Sequence, residues 1–368
     1  MCKKIDFSDI SLLIIAGGKS SRMKQDKRFI EINGISLLEN ILIKASKQNF
    51  DAVFLCVEKH TDSIELLTKK YKSVILIDEI QNAGPMSGLV KGLNSISTQW
   101  ALAVSCDMPF FEFGVVKPLL DNLTNSKVVM FDHQPLAALY HKSLTEIFKK
   151  SLSEGQRKLR MVIEQVPHKI IPHSSFIIHN YFNINTQSDL RLARGRAANI
   201  NRKVPIISII APSSGTGKTT FIEKLIPKLN EQGIKVGVVK SDSHGFNLDV
   251  EGKDSWRFQN AGAQSVAVVS TSGYFIMQKT SERENFQKVA DKFEDIDLIL
   301  TESRTHGVQP AISLYRGLGD PLINDDVVAL FSDKKIENVE NIPQFDLNDI
   351  DQAVKICLFL AKEVHSHL

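Results

Sequence analysis

Two short apolar runs, each followed at once by glycines and basic residues, open two separate parts of this chain. Residues 13–27 hold Leu-Ile-Ile-Ala-Gly-Gly-Lys-Ser-Ser-Arg-Met-Lys-Gln-Asp-Lys, and residues 209–220 hold Ile-Ile-Ala-Pro-Ser-Ser-Gly-Thr-Gly-Lys-Thr-Thr. A strand that ends in glycines gathers backbone N–H groups and fixed positive charge at one point, and a bound phosphate chain needs both. The sequence therefore predicts two nucleotide sites.

The apolar pattern predicts an α/β fold in each part. A chain of 368 residues is too long for one hydrophobic core and suggests about two domains. Apolar, β-branched runs alternate with segments long enough for amphipathic helices, which predicts two doubly wound domains with mostly parallel sheets and ligands at the carboxyl ends of the strands. The predicted strands are Ile10–Ala16, Ala52–Val57, Val74–Asp78 and Ala101–Ser105, then Ile206–Ala211, Lys235–Lys240, Ser265–Val269, Leu298–Glu302 and Val327–Phe331, and a helix kinked by Pro227 is predicted over Thr219–Gln232.

The predicted boundary between the two parts lies near residue 200. Residues 191–205 are polar, basic and without apolar periodicity toward their end. We therefore expect a first domain over 1–197, a linker over 198–204 and a second domain over 205–368. A basic cluster could contact nucleic acid or anionic lipid, but no aromatic residues are interleaved for stacking, which favours a solvated linker.

Composition and cysteine usage limit the possible partners and the cellular compartment. Charge is balanced at a formal +3, and no apolar run approaches the roughly 18 residues of a membrane-spanning helix, so we expect neither a nucleic-acid partner nor a membrane span. Cys2, Cys56, Cys106 and Cys357 show no metal-binding or disulfide spacing. The sequence predicts a protein of the reducing cytoplasm.

The second loop carries a specific phosphate-binding signature. Gly217-Lys218-Thr219 follows an apolar strand and precedes a helix; in that setting amides wrap phosphate oxygens, the lysine reaches the β/γ-phosphates and the threonine hydroxyl ligates Mg²⁺. Pro212 stands where the pattern begins with glycine. Glu302 ends an apolar strand and is a candidate for orienting Mg²⁺ or water, although a glutamate at a strand end is also common in structural roles. The predicted nucleotide contacts of this loop are Ser214, Gly215, Thr216, Gly217, Lys218, Thr219 and Thr220.

The first loop resembles the Gly-Gly-x-Ser-x-Arg-Met…Asp-Lys signature of nucleotidyltransferases, and residues 9–195 resemble the molybdenum cofactor guanylyltransferase (MobA) family. Residues 83–88 match its Gly-Pro-Leu-x-Gly loop, residues 105–109 supply its magnesium aspartate, and residues 182–186 match its Asn-x-Asn-Thr segment. The resemblance implies a Rossmann-like nucleotidyltransferase fold. It implies GTP contacts by Ile15, Ala16, Gly17, Gly18, Lys27, Asp78, Gly84, Pro85, Ser87, Gly88 and Asp107, and molybdopterin contacts by Arg157, Lys158, Asn183 and Asn185, while Lys24 and Cys56 depart from the family's pattern.

Residues 204–350 resemble the MobB family of GTP-binding adaptors, which implies a P-loop NTPase-like fold. The likeness rests on the glycine loop, on residues 252–263 and on the strand ending at Glu302. The family's His-rich segment is replaced by Lys-Ser-Asp-Ser-His at 240–244, and its Glu-Gly-Phe-Lys stretch by Glu-Ser-Arg-Thr at 302–305. The resemblance therefore implies GTP binding and leaves hydrolysis open.

Nucleotidyl transfer explains the residue types of the first part. An acceptor phosphate attacks the α-phosphorus in line while pyrophosphate leaves, so the site must hold two polyanions together. Lys27, Arg22 and the amides of Gly17 and Gly18 can supply positive charge, and Asp107 can hold Mg²⁺. A turn role before Pro109 remains open for Asp107, as does turn chemistry for Asn183 and Asn185.

The predicted function is transfer of GMP from Mg-GTP to molybdopterin or its molybdenum form, with a second domain that binds GTP and assists. Predicted catalytic residues are Asp107, Lys27 and Arg22, and the predicted magnesium ligands are Asp107, Thr219 and Glu302. Three alternatives remain: transfer from CTP, transfer to a sugar phosphate, which a Pro-Lys in place of Asp26-Lys27 would favour, and a GTP-controlled module that only holds or delivers the cofactor. Expected partners beyond the substrates are molybdoenzyme clients or their chaperones, and a second copy of the chain through the C-terminal domain.

Overall fold

The fold comprises two compact units, Met1–Arg194 and Gly195–Leu368. The computed structural model describes residues 5–17, 23, 25–80, 83–172, 179–241, 250–303, 309–339 and 341–361. We describe the two units separately.

Unit 1 alternates strands and helices along most of its length. Its strands are β1 (Ser11–Ile15), β2 (Glu31–Ile32), β3 (Ile35–Ser36), β4 (Val53–Val57), β5 (Val74–Ile77), β6 (Trp100–Ser105), β7 (Val128–Phe131), β8 (Ala137–His141) and β9 (His168–Ile171). Its helices are α1 (Leu37–Ser46), α2 (Asp62–Lys70), α3 (Pro85–Ser95), α4 (Lys117–Leu120), α5 (Thr145–Ser153), α6 (Leu159–Ile163) and the first part of α7 (Gln187–Ile200), with short 3₁₀ helices at Phe7–Asp9, Lys27–Phe29, Phe113–Val116 and Lys142–Leu144.

The main sheet of unit 1 has seven strands in the order β5-β4-β1-β6-β8-β7-β9. The four predicted strands β1, β4, β5 and β6 are parallel, whereas β8 runs antiparallel to β6 and to β7. The sheet is therefore mixed. Since β7 runs in the direction of β1 and β6, the carboxyl ends of these three strands lie at one edge.

Strand β1 is buried on both faces of the sheet, which explains why its sequence is apolar without alternation. Leu12 and Ile14 pack on one face of the sheet, and Leu13 and Ile15 pack on the other. Helix α3 covers the second face so closely that a Cβ on Gly92 would lie 2.6 Å from Cδ1 of Leu13. A sheet covered on both faces fixes the positions of the loops that follow its strands.

Unit 2 contains a second α/β sheet. Its strands are β10 (Ile206–Ile210), β11 (Val236–Lys240), β12 (Ser265–Val269), β13 (Tyr274–Gln278), β14 (Leu298–Ser303), β15 (Ala311–Tyr315), β16 (Val327–Ser332) and β17 (Gln344–Asp346). Its helices are α8 (Lys218–Glu231), α9 (Asp254–Asn260), α10 (Phe286–Ala290) and α11 (Ile350–Leu360), and α8 runs unbroken through Pro227.

The six-stranded sheet of unit 2 is parallel, in the order β11-β14-β10-β15-β16-β17. The expectation that Ser265–Val269 belongs to this parallel set is wrong. That segment is β12, which pairs antiparallel with β13 through a turn at residues 270–273. Its side chains are exposed except for Val266, so the run lacks the burial that a central parallel strand would have.

The segment predicted as a solvated linker is partly helical and partly buried. Helix α7 extends to Ile200, and the side chains of Arg196 and Asn199 are buried within unit 2. Arg196 donates to the carbonyls of Phe359 and Ala361, and Asn199 Nδ2 donates to that of Leu360 over 3.0 Å. These residues satisfy the last carbonyls of α11, which have no partners inside their own helix. The polar residues of this segment are structural donors, which composition alone does not reveal.

The cysteines that the structure describes are buried. Cys56, Cys106 and Cys357 are buried free thiols, and burial raises the pKa of Cys106 and Cys357 to about 12. Cys2 lies outside the described residues. Within the described ranges, no helix combines the length and the apolar character that a membrane crossing requires.

Candidate active site and nucleotide-binding sites

A cation, a carboxylate and an amide from three distant segments converge beyond the carboxyl ends of β1 and β6. Lys27 Nζ donates to Asn185 Oδ1 over 2.7 Å and lies 3.7 Å from Asp107 Oδ2. Ser105, the last residue of β6, donates from Oγ to Asp107 Oδ1 over 2.6 Å. We call Lys27, Ser105, Asp107 and Asn185 the Lys27 cluster. Its charges are what a site for a metal-bound triphosphate needs.

Local backbone chemistry holds the members of the cluster in place. Asp26 caps the 3₁₀ turn that carries Lys27 and forms an ion pair of 2.6 Å with Arg28. Burial opposes ionisation of Asp26, but the hydrogen bond and charge of Arg28 hold its pKa below the ordinary value. Asp189 Oδ2 accepts from the backbone N–H groups of Asn185 and Thr186, which fixes the Asn-x-Asn-Thr turn.

A second carboxylate lies between two glycines on the neighbouring part of the sheet edge. A Cβ on Gly17 would lie 3.1 Å from Asp78 Oδ2, and one on Gly88 would lie 3.6 Å from Asp78 Oδ1. Asp78 Oδ1 is buried and has no hydrogen-bond partner among the described residues. Burial, and secondarily the charge of Glu58, raises the pKa of Asp78 to about 6. A buried acceptor without a donor costs free energy until a ligand supplies one.

Gly88 lies beside Asp78 because it belongs to the start of helix α3. Gly84 precedes the helix with φ of 69°, a conformation that favours glycine, and Pro85 occupies the first helical turn. Ser87 is buried in the same turn. These residues place the first turn of α3 beside Asp78, as the resemblance implies for a nucleotide loop.

The four predicted molybdopterin contacts come from two separate stretches of the chain. Asn185 lies in the Lys27 cluster, whereas Asn183 donates from Nδ2 to the carbonyl of Tyr181 over 3.0 Å, which is turn chemistry. Arg157 and Lys158 directly precede α6. Helix α6 forms one wall of a cavity of about 160 Å³. The cavity is lined by Met130, Asp132, His133, Pro135, Arg160, Ile163, Glu164, His168 and Ile170.

The glycine loop of unit 2 has the geometry of a P-loop. Gly215 and Gly217 have φ of 77° and 96°, and α8 begins at Lys218 directly after them. Lys218 Nζ donates to the carbonyl of Ser213 over 3.1 Å, so it is folded over its own loop. Backbone turns of this kind, with a lysine at the centre, bind the phosphates of nucleotides.

Thr219 and Glu302, which the sequence predicts as magnesium ligands, lie in contact beside that loop. Thr219 Oγ1 lies 3.0 and 3.1 Å from the two carboxylate oxygens of Glu302, which belongs to strand β14. Lys240 Nζ lies 3.9 Å from Glu302 Oε1. A hydroxyl and a carboxylate on adjacent elements are the protein ligands expected at a Mg²⁺ that also binds phosphates.

Comparison with known families identifies both parts of the chain. Residues 12–170 match the model of the MobA-like NTP transferase domain, and residues 206–333 match that of molybdopterin guanine dinucleotide synthesis protein B. A molybdopterin-guanine dinucleotide biosynthesis adapter protein of Haemophilus influenzae is 34% identical over 39% of this chain and 87% of its own length. A probable molybdenum cofactor guanylyltransferase of Clostridium perfringens is 32% identical over 48% of this chain and 91% of its own length. The chain belongs to both families.

The first domain is thus a MobA-like nucleotidyltransferase and the second is a MobB domain. A crystal structure of molybdopterin-guanine dinucleotide biosynthesis protein A from Archaeoglobus fulgidus aligns with 50% of this chain and 97% of its own, at 22% identity and a TM-score of 0.44.

Several predicted residues of the two domains lie outside the described residues. They are Gly18 and Arg22 of the MobA-like domain and most of the altered His-rich segment of the MobB domain. Met23, which the structure does describe, is buried beside Ile184. This contact brings the end of the first loop to the Asn-x-Asn-Thr segment.

Other residues of these sites carry no sequence signal that would have identified them. A serine at a strand end such as Ser105 is common, and only its spacing of two from Asp107 could have suggested the hydrogen bond. Glu58 affects the pKa of Asp78 through the fold, because the two residues follow different strands, and no local pattern encodes this.

A magnesium ion in the MobA-like domain would depend on few protein ligands. The charge and geometry of the Lys27 cluster fit Mg²⁺ held by one carboxylate and by substrate phosphates. Within the described chain, no cluster of three or more metal-ligating side chains is present.

Proposed function

We propose that the MobA-like domain transfers GMP from GTP to the terminal phosphate of molybdopterin, with release of pyrophosphate, while the MobB domain binds GTP and assists. The observation that carries this proposal is the Lys27 cluster. Its lysine, carboxylate and amide come from three segments of which the first and last lie 158 residues apart. A module that only held a cofactor would have no need of a carboxylate beside a lysine at this position.

The proposed reaction requires charge neutralisation and alignment more than proton transfer. An oxygen of the acceptor phosphate forms a bond to the α-phosphorus of GTP, and the bond from that phosphorus to the bridging oxygen breaks as pyrophosphate leaves. No general base is needed, because the acceptor phosphate is already ionised. Lys27 neutralises charge on the phosphates, and the hydrogen bond from Ser105 holds one oxygen of Asp107 so that the other can face a metal.

Asp107 is the proposed magnesium ligand of this domain. Bound Mg²⁺ supplies positive charge between phosphate groups that would otherwise repel one another. In the MobB domain Thr219 and Glu302 are the proposed ligands, supported by their contact of 3.0 Å.

Asp78 is the proposed contact for the base of GTP. Guanine presents two N–H donors on one edge, and Asp78 offers a buried oxygen without a donor between Gly17 and Gly88. The glycines allow a planar base to approach the carboxylate. Cytosine presents one amino group beside a ring nitrogen that can only accept, so the two adjacent donors of guanine suit a carboxylate better, and GTP is the substrate that Asp78 favours.

The proposed binding region for molybdopterin extends from Asn185 toward α6. Strands β6 and β7 run in the same direction with only β8 between them, so their carboxyl ends, which Asp107 and Asp132 follow, are about 10 Å apart at one edge. A tricyclic pterin with a phosphate arm can span that distance. We assign the pterin ring to the cavity beside His133 and Arg160, and its phosphate to Asn185, Arg157 and Lys158.

A homodimer through the MobB domain is a further part of the proposal. One face of the hairpin β12–β13 carries Val269, Tyr274 and Ile276, whose exposed fractions are 78%, 70% and 59%. A contiguous apolar face of this kind is typical of an interface between protein chains. The three described cysteines, all buried thiols, support the proposed cytoplasmic location.

One assay tests the proposed reaction. Full-length protein with Mg²⁺ and molybdopterin is given each of the four nucleoside triphosphates, and pyrophosphate release and the dinucleotide product are measured. We expect product with GTP, and a loss of about 100-fold or more in Asp107→Asn, because the amide keeps the shape but loses the charge that holds Mg²⁺. Asp62→Asn, an exposed aspartate at the start of α2, is the matched control. Product from CTP alone, or full activity of Asp107→Asn, would contradict the proposal.

A further inference from the structure

A glycine-rich turn of the MobB domain lies over its P-loop. The turn consists of Arg316, Gly317, Leu318 and Gly319 and directly follows β15. A Cβ on Gly217 would lie 3.6 Å from Cζ of Arg316, and one on Gly319 would lie 3.8 Å from Cβ of Pro212. Tyr315 donates from its hydroxyl to the carbonyl of Gly319 over 2.9 Å, which closes the turn.

The topology places this turn on the side of the P-loop away from the magnesium ligands. Strand β10, which leads into the P-loop, lies between β14 and β15 in the sheet. Glu302 is in β14, and Arg316 follows β15. The phosphate chain of a bound nucleotide would therefore have Thr219 and Glu302 on one side and the Arg316 guanidinium on the other.

The Arg316 side chain has unused hydrogen-bonding capacity. It is exposed, and within the described ranges it forms no hydrogen bond or ion pair. A guanidinium carries five N–H donors in a planar fork that matches two oxygens of a phosphate. The absence of a side chain on Gly217 leaves the space through which the fork approaches the loop amides.

We infer that Arg316 is a phosphate-binding residue of the MobB domain and contacts the α- and β-phosphates of the nucleotide from the side opposite Mg²⁺. This role rests on the proposed binding of GTP by the P-loop. The position of Arg316 beside Gly217 indicates which phosphates it contacts, because the amides of the glycine loop cradle the α- and β-phosphates. Arg316 would then contribute equally to binding of GTP and of GDP, with or without the metal.

The experiment measures GTP and GDP affinity of the full-length protein by titration calorimetry, in Mg²⁺ and in excess chelator. All variants carry Lys27→Ala to weaken the site of the MobA-like domain, and the Lys27→Ala/Lys218→Ala double variant gives the residual signal of that site. We expect Arg316→Ala to weaken both nucleotides about tenfold or more under both conditions, and Arg316→Lys to recover part of the loss. Arg257→Ala, a similarly exposed arginine on α9, is the matched control and should change nothing.

Each other outcome overturns the proposed role in a recognisable way. Unchanged affinities of Arg316→Ala together with a lower melting temperature of the free protein would make the residue structural. A loss confined to GTP in the presence of Mg²⁺ would place the guanidinium at the γ-phosphate instead. If the Lys27→Ala protein binds no more nucleotide than the double variant, the proposed GTP site itself fails, and the role of Arg316 fails with it.

Discussion

Asp78 and Ser105 show how much of this site depends on single polar contacts. Asp78 is an acceptor that lacks a donor among the described residues, and Ser105 is a donor that fixes another acid. In the proposed reaction the two residues therefore affect different properties, Asp78 the binding of the base and Ser105 the orientation of Asp107.

The raised pKa of Asp78 makes stability depend on pH. The folded state favours the protonated acid, so this stabilisation is complete below the ordinary pKa near 3.8 and is lost as pH rises through about 6. We expect Asp78→Asn to unfold at a higher temperature than the wild type at pH 8, and the difference to disappear at pH 4. Glu31→Gln, which changes an exposed carboxylate in β2, is the control. A difference that does not vary with pH would contradict the assignment of the shift to Asp78.

Ser105 is a positioning residue for Asp107. Ser105→Ala removes the hydrogen bond of 2.6 Å and frees the carboxylate to rotate, so we expect kcat for GMP transfer to fall about tenfold while KM for GTP changes little. Raising the Mg²⁺ concentration should recover part of the loss, which a purely structural role would not allow. Ser95→Ala, at the end of α3, is the control. A normal rate in Ser105→Ala would remove this residue from the site.

Close packing against the sheet fixes helix α3, which begins beside Asp78. Gly92→Ala in α3 would place a Cβ 2.6 Å from Leu13, in the middle of β1. We expect a loss of about 1–3 kcal/mol in the free energy of unfolding, measured with denaturant, because a packed core has no room for a further methyl group. Gly114→Ala has open space around its Cβ and should cost far less. Equal losses in the two variants would show that the contact with Leu13 does not determine the cost.

The exposed face of the hairpin β12–β13 gives a prediction about association. Val269→Lys places a charge on the face that we propose as the dimer interface, so we expect a shift from dimer to monomer in sedimentation or light-scattering measurements. Val250→Lys changes another exposed valine, outside the hairpin, and should leave the dimer intact. A wild-type protein that is monomeric at all concentrations would contradict the proposed homodimer.

The elements also show where sequence patterns succeed. Buried strands such as β1 are recognisable because they are strongly apolar and glycines follow closely. Strand β12 has a similar composition, but its pairing with β13 depends on a turn and on exposure, which composition does not report. Three members of the Lys27 cluster are predictable as parts of separate motifs, whereas their mutual distances arise only from the sheet. Arg316 belongs to no sequence motif. Its position beside the P-loop depends on the order of β14, β10 and β15 in the sheet.

The two domains have separate cores and separate nucleotide loops. Lys218→Ala should therefore abolish nucleotide binding by the MobB domain and leave GMP transfer by the MobA-like domain within about twofold of the wild type, because the reacting groups belong to unit 1. The measurement compares transfer rates of the full-length wild type and Lys218→Ala at saturating GTP and molybdopterin. Lys224→Ala, on the same helix, is the control. A collapse of transfer in Lys218→Ala alone would mean that the P-loop takes part in the chemistry.

Helix α7 determines where the chain can be divided without damage. The match to the MobB family begins at residue 206, yet Arg196 and Asn199 supply donors to the carbonyls of Phe359, Leu360 and Ala361. A gene fragment that starts at the family match would encode a domain whose last helix has lost these partners. Starting the fragment before Gly195 keeps them, so the compact unit begins further toward the N-terminus than the family match by which it is recognised.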